Sequence, residues 1–117
     1  MENLNRFYEK VGGDAKEIVA RLGGNTALVK RFLGKFAQDS SFGDLCNALN
    51  ENDTETAFRS AHTMKGVCAN LGLQKLFEKA SHITELLRAG NLEDAKVYLP
   101  ELTEEYKATL QALTELG

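Results

Sequence analysis

The chain has 117 residues, of which 43% are hydrophobic and 26% charged, and its formal net charge is −3. This length allows one domain with a small core, and the composition is that of a soluble globular protein rather than a disordered one. The acidic balance argues against nucleic acid as a partner, and the absence of a ~20-residue apolar run or a signal-peptide pattern predicts a cytoplasmic protein without a membrane segment.

Two short helices are predicted before the main body of the chain. Apolar residues recur at i, i+3, i+4 and i+7 over residues 4–11 and again over residues 15–22, which is the spacing of amphipathic helices. A glycine pair is expected to end the first helix, and Asp14 is a candidate N-cap for the second. The Gly-Gly-Asn segment at residues 23–25 then separates both helices from the main body.

The next stretch predicts a longer helix and then a shorter segment. An apolar stripe over residues 28–36 indicates a helix that ends near Gln38. Ser41 and Asp44 resemble a capping box, although Asp is not the usual third residue of that motif. The segment that Ser41 starts either packs beside the longer helix or extends it after a bend.

A polar turn at residues 50–53 precedes the helix that carries His62. Asn52 or Asp53 is its candidate N-cap, and Gly72 is suited to the left-handed position that ends it. The next apolar stripe starts at once, so these two helices must form a tight antiparallel hairpin.

Two further apolar stripes, over residues 73–87 and 95–113, predict the last helices, with Pro100 expected to kink the final one or to start a new helix. No stretch has the period of a strand. The pattern predicts an all-α fold, namely an antiparallel four-helix bundle in residues 25–117. The short helices of residues 1–24 pack against it, and residues 1–117 form one domain.

Both cysteines fall on apolar stripes of these helices. Free cysteine in such a position behaves as a small hydrophobe. We therefore expect Cys46 and Cys68 to be reduced, and their spacing does not indicate a metal site.

His62 is the candidate functional residue of the chain. At about 100° per residue, one side of its helix is an apolar stripe, formed by Ala57, Ala61, Met64, Val67, Cys68 and Leu71. His62 lies roughly 160° from the middle of this stripe. Its side chain is therefore expected to point to water.

The residues around His62 leave space for a partner. Gly66 at i+4 and Ala69 at i+7 share its face, so another backbone could come close without meeting a side chain. Glycine inside a helix costs about 1 kcal/mol relative to alanine. An exposed Gly66 gains no packing in return, which favours a role other than stability.

The chemistry of this group is that of a nucleophile beside a cation. A neutral imidazole keeps a free lone pair on one ring nitrogen. If His62 takes a phosphoryl group, Lys65 at i+3 supplies a positive charge to the new dianion. The alternative is an ordinary surface histidine with a tolerated glycine nearby.

The run His62-x-x-Lys65-Gly66, followed by Ala69-Asn70-Leu71-Gly72, closely resembles the histidine-containing phosphotransfer (HPt) domain of multistep two-component phosphorelays. The resemblance extends from about Asn25 onward and implies the same helical bundle. It implies that His62 accepts the phosphoryl group, that Lys65 stabilises it, and that Gly66 gives clearance to a receiver domain.

The resemblance also touches the neighbouring helix. Some family members carry there a glutamine that reaches toward the phosphohistidine, and the aligned residue is Thr84. Since threonine is shorter, we expect the phosphate to rely on Lys65 and water instead.

Two other side chains allow more than one interpretation, and the second histidine allows one. Phe58 falls on the outer face of the helix, where it either packs at an edge of the bundle or anchors a docking partner. Arg59 either forms polar contacts at the rim of that surface or is merely solvated. His82, the other histidine, lacks a cleared patch and is interpreted as solvent-facing.

The predicted function is that of a phosphorelay intermediate, which accepts a phosphoryl group from one receiver aspartate and passes it to another. The chain has no nucleotide-binding motif and no carboxylate cluster around His62, so it is predicted to be a carrier and not an enzyme. It needs no cofactor of its own, since Mg²⁺ is expected on the receiver.

Two alternatives remain open from the sequence. One is an adaptor that binds a receiver or a helix through the same surface without transferring phosphate. The other is the phosphoaccepting module of a chemotaxis-type kinase, which fits less well because no kinase domain follows. The expected protein is a free-standing monomer whose partners are receiver domains of response regulators or hybrid histidine kinases.

Overall fold

The structure is a computed structural model that describes residues 1–116. The all-α prediction is confirmed, since no strand occurs among these residues. The seven helices are α1 (Glu2–Val11), α2 (Ala15–Arg21), α3 (Thr26–Phe36), α4 (Ser41–Asn50), α5 (Thr54–Leu71), α6 (Gln74–Arg88) and α7 (Leu92–Leu116).

The helix that carries His62 is the central element of the packing. α5 contacts α3, α4 and α6, while α6 packs against α7, and α7 against α1 and α4. Buried apolar side chains from all seven helices form one hydrophobic cluster. Burial of this surface supplies the main driving force for folding. The position of His62 therefore depends on how α5 is held in that cluster.

The N-terminal helices are fastened to the C-terminal end of α5. The chain passes so close there that a Cβ atom on Gly13 would lie 2.1 Å from the carbonyl oxygen of Gly72. Only glycine permits this approach. The hydroxyl of Tyr8, a buried residue of α1, donates a hydrogen bond to the carbonyl oxygen of Leu71 at 2.6 Å. These contacts fix the end of α5 against the α1–α2 turn.

The predicted N-cap of α2 is confirmed, and the predicted capping box of α4 is wrong. A carboxylate oxygen of Asp14 accepts the backbone N–H of Lys16 at 3.0 Å. At α4, the carboxylate of Asp39 accepts the backbone N–H of Ser41 at 2.9 Å and its hydroxyl as well. Ser41 is thus the first residue inside the helix, and its buried side chain cannot cap it.

Pro100 does not start a new helix. α7 runs through it from Leu92 to Leu116, and Pro100 lies on the exposed side. Proline deprives one carbonyl of its N–H partner. Since Pro100 faces solvent, that carbonyl can be satisfied by water and the helix continues.

Tyr8→Phe tests the attachment of α1 to α5. We expect a loss of about 1 kcal/mol in the free energy of unfolding at pH 7, because the carbonyl of Leu71 loses its donor. Urea titration measures it. Tyr106→Phe, which retains a ring stacked on Phe42, is the control and should change stability less.

The same variant has an expected pH dependence. Burial raises the pKa of Tyr8 to about 12, an effect that Arg21 partly opposes. The folded protein then holds this proton where the unfolded chain, near pH 10, releases it. Stability conferred by neutral Tyr8 is thus complete below pH 10 and falls as the pH rises toward 12. The difference between wild type and Tyr8→Phe should narrow over that range, and a constant difference would contradict the prediction.

Candidate functional site

The helix of the candidate site is defined by a cap at each end. A carboxylate oxygen of Asp53 accepts the backbone N–H of Thr56 at 3.1 Å, as predicted. Hydrogen bonding from Thr56 holds the pKa of Asp53 below its ordinary value. At the other end, Gly72 takes the left-handed conformation with φ 71°. The 18 residues between these caps form one regular helix, and His62 lies in its middle.

The predicted orientation of His62 is confirmed by the burial pattern of α5. Ala57, Ala61 and Cys68 have no exposed surface, and Met64 is 1% exposed, whereas His62 is exposed. One member of the predicted stripe differs, because Val67 is only partly buried. Ser60, which the predicted stripe did not include, is buried as well.

The surface beside the imidazole is open. A Cβ atom built on Gly66 would meet nothing within 4 Å outside its own helix, and Ala69 is exposed. Lys65 is half-buried and lies three residues along the helix from His62. A partner can therefore approach the imidazole over Gly66 and Ala69 while an ammonium group remains nearby.

An aromatic ring lies against the imidazole on its N-terminal side. The rings of Phe58 and His62 have centroids 5.9 Å apart and an interplanar angle of 21°. Phe58 is half-buried and packs on the hydrophobic cluster. The predicted packing of Phe58 at the edge of the bundle is confirmed, whereas its role as an anchor for a docking partner stays a prediction.

Arg88 joins this group, and the sequence did not reveal it. Its guanidinium carbon lies 4.9 Å from the centre of the Phe58 ring, and its Nε donates to Glu85 at 3.2 Å. Arg88 comes from the last turn of α6. The sequence shows a basic residue in that turn, but it does not indicate which turn of α5 this residue faces. It is therefore only a weak signal that Arg88 lies beside Phe58.

Arg59 lies on the other side of the His62 face. It forms only a long ion pair with Glu55, 4.0 Å between nitrogen and oxygen, and both side chains are well exposed. With Thr63 and residues of α4 it lines a shallow polar cavity of about 280 Å³. Such an exposed pair contributes little to stability, so Arg59 is free to contact a partner.

An apolar groove that the sequence did not reveal begins at Val67, the residue that follows Gly66. It has a volume of about 430 Å³ and lies where α2 and α3 meet the C-terminal part of α5. Its lining residues are Arg21, Leu22, Phe32, Lys35, Phe36, Asp39, Val67, Asn70 and Leu71. The partial exposure of Val67 belongs to this groove.

Two candidates lie outside the group. Thr84 is completely buried, and its hydroxyl donates to the carbonyl oxygen of Ala80 at 2.6 Å. Its side chain therefore points into the core and does not reach His62. His82 is exposed, and its ring packs on Tyr98 of α7 with centroids 4.3 Å apart.

The described residues show neither a metal site nor a membrane-spanning helix. Within residues 1–116 no group of three or more His, Cys, Asp and Glu side chains is placed to hold a metal ion. Both cysteines are free, and burial raises the pKa of the Cys68 thiol to about 12. None of the helices described combines the length and the apolar character needed to cross a bilayer.

Comparison with known proteins gives one result. A family model described as "Hpt domain" matches residues 28–113, a range that contains His62, Lys65 and Gly66. Neither curated proteins nor solved structures gave a significant match. Because the model covers more than half of the chain, the protein belongs to the Hpt domain family, whose members are phosphotransfer carriers of two-component phosphorelays.

Proposed function

We propose that the protein is a phosphorelay intermediate, which accepts a phosphoryl group on His62 from the aspartate of one receiver domain and passes it to the aspartate of another. The observation that carries this proposal is the exposed imidazole beside the open backbone of Gly66, within the range that matches the Hpt family. Receiver domains are the partners that this family implies.

The transfer requires little chemical machinery from this chain. One ring nitrogen of neutral His62 forms the N–P bond while the P–O bond of the aspartyl phosphate breaks, and the electron pair returns to the receiver carboxylate. The ring proton stays on the other nitrogen. Such a reaction is catalysed mainly by positioning and charge neutralisation. The reverse sequence, on a second receiver, discharges the phosphohistidine.

Lys65 is proposed to stabilise the phosphoryl group. Lys65 lies three residues from His62 in the same helix, so its ammonium can reach the imidazole and neutralise part of the charge that arrives there. Mg²⁺ would come with the receiver, and this chain would need no cofactor. The carrier would have no ATP site and no kinase activity of its own.

The receiver would dock over the open surface beside His62, which we call the clearing. Gly66 and Ala69 supply the low surface, while Phe58 and Arg59 border it. The neighbouring apolar groove, which is lined by Arg21, Lys35 and Asp39 as well as apolar side chains, suits a mainly apolar segment of the partner.

The range predicted for the four-helix bundle, residues 25–117, contains five helices in the described part of the chain, α3–α7. The architecture proposed for this function is therefore an antiparallel four-helix bundle of α4–α7, with α1, α2 and α3 against it. The contacts of α4 with α5, α5 with α6 and α6 with α7 support that arrangement. The shared hydrophobic cluster supports one domain over residues 1–117. A cytoplasmic monomer with reduced cysteines remains the predicted state.

Substitution of His62 is the first test. We expect wild-type protein, mixed with a panel of receivers phosphorylated by radiolabelled acetyl phosphate, to gain acid-labile, base-stable label. His62→Gln should abolish the label, and His82→Gln should retain it. Label that persists in His62→Gln would reject the assignment. Binding of a receiver without any label would identify the adaptor instead.

Lys65→Ala should slow transfer by roughly 10-fold, because one charge-assisted hydrogen bond to the phosphoryl group is lost. Lys65→Arg keeps the charge and should retain most of the rate. Lys107→Ala, at an exposed site of α7, is the matched control. The measurement is the initial rate of labelling by the receiver that the panel identifies, and equal rates for all variants would exclude the proposed role.

Gly66→Gln should separate stability from function. A side chain there meets open space, so loss of the helix penalty of glycine should stabilise the protein by up to about 1 kcal/mol. Transfer should nevertheless fall steeply, because the side chain occupies the clearing.

Gly43→Gln is the control, since Gly43 is also helical with nothing within 4 Å of its built Cβ atom. It should gain stability and keep transfer. Unfolding in urea and labelling rates measure both effects, and unimpaired transfer by Gly66→Gln would show that the clearing is not used.

A further inference from the structure

The two histidines of the chain each pack on one aromatic ring, but in different settings. His62 lies nearly parallel to Phe58, on the preceding turn of the same helix. His82 lies at 47° to Tyr98, which belongs to another helix. Long side chains in helices point back toward the N-terminus, so an aromatic residue at i−4 is placed to meet the ring of a histidine.

Phe58 is itself held from the neighbouring helix. Its ring packs on the hydrophobic cluster, and the guanidinium of Arg88 lies 4.9 Å from its centre. A cation at this distance is attracted by the face of the ring. Glu85 accepts from Arg88 at 3.2 Å and restrains that guanidinium. The surface against which the imidazole lies is therefore connected to both α5 and α6.

We propose that Phe58 is a positioning residue, which restricts the imidazole of His62 to one rotamer and so presents it in a fixed direction to the docked receiver. This inference rests on the proposed function. A docked receiver fixes the direction of the incoming phosphorus, and transfer then requires the ring nitrogen to lie in line with it. An exposed imidazole without a neighbour would spread over several rotamers.

The competing role for Phe58 is that of a docking anchor. An anchor needs free apolar surface to bury against the partner. Phe58 is half-buried, and its ring already contacts the imidazole and the guanidinium. These contacts favour the positioning role.

Nuclear magnetic resonance tests the orientation without any partner. The Hα–Hβ coupling constants of His62 report its rotamer populations, and its ring-proton shifts report the neighbouring aromatic ring. We expect one dominant rotamer in the wild type and averaged couplings in Phe58→Leu. Phe58→Tyr should restore the wild-type pattern. Tyr98→Leu should alter the signals of His82 only.

Transfer kinetics test the consequence. With the receiver identified by the panel, Phe58→Leu should lower the saturating rate by about 2- to 12-fold, the factor that one aromatic pair is worth. The concentration of receiver at half-saturation should stay unchanged. Labelling by phosphoramidate, a small donor free to approach from any direction, should keep its rate.

The outcomes are distinct. Averaged couplings in the wild type, or His62 signals unchanged by Phe58→Leu, would overturn the proposal. A raised half-saturation concentration with an unchanged saturating rate would assign Phe58 to docking, and slower labelling by phosphoramidate would indicate a change in the imidazole itself. Failure of every receiver to label His62 would reject the proposed function, whereas the resonance experiment would still decide whether Phe58 orients the ring.

Discussion

The rotation of α5 about its own axis is the constraint on which the site depends. Ala57 and Ala61 are completely buried, and such small side chains let neighbouring helices approach closely. A rotation by one residue, about 100°, would expose these alanines and carry His62 toward the core. The attachment of α1 at Leu71 and the cap at Asp53 hold the two ends of this helix. The imidazole is exposed because the opposite face is so completely buried.

Charge is unevenly distributed around this helix. α3, which lines the apolar groove near the clearing, carries Lys30, Arg31 and Lys35 and no carboxylate. α7 carries six carboxylates against two lysines. Arg31 and Lys35 are exposed, and Lys30 is half-buried. Since Lys35 also lines the groove, an acidic partner would be attracted to this side of the molecule and repelled from α7.

Local features could be predicted from the sequence, and contacts between helices could not. The caps at Asp14 and Asp53 and the outward direction of His62 depend on residues within one or two turns. The error at Ser41 was also local, because Asp39 competes for the same backbone N–H and starts the helix at Ser41. Arg88 and the groove at Val67 depend on which turns of separate helices meet. Hydrophobic periodicity shows which face of a helix is buried. It does not show which turn of that helix contacts each neighbouring helix.

The nucleophile of a carrier must satisfy two opposing requirements. It has to be exposed, since two receivers in turn must reach it, yet exposure removes the packing that normally orders a side chain. In this chain the two requirements are divided between the two sides of His62 along α5. Toward the C-terminus, Gly66 leaves open space, and toward the N-terminus, Phe58 offers a surface that the core and Arg88 support. In the roles proposed for these residues, one side would give access and the other direction, and both would follow from residues one helical turn away.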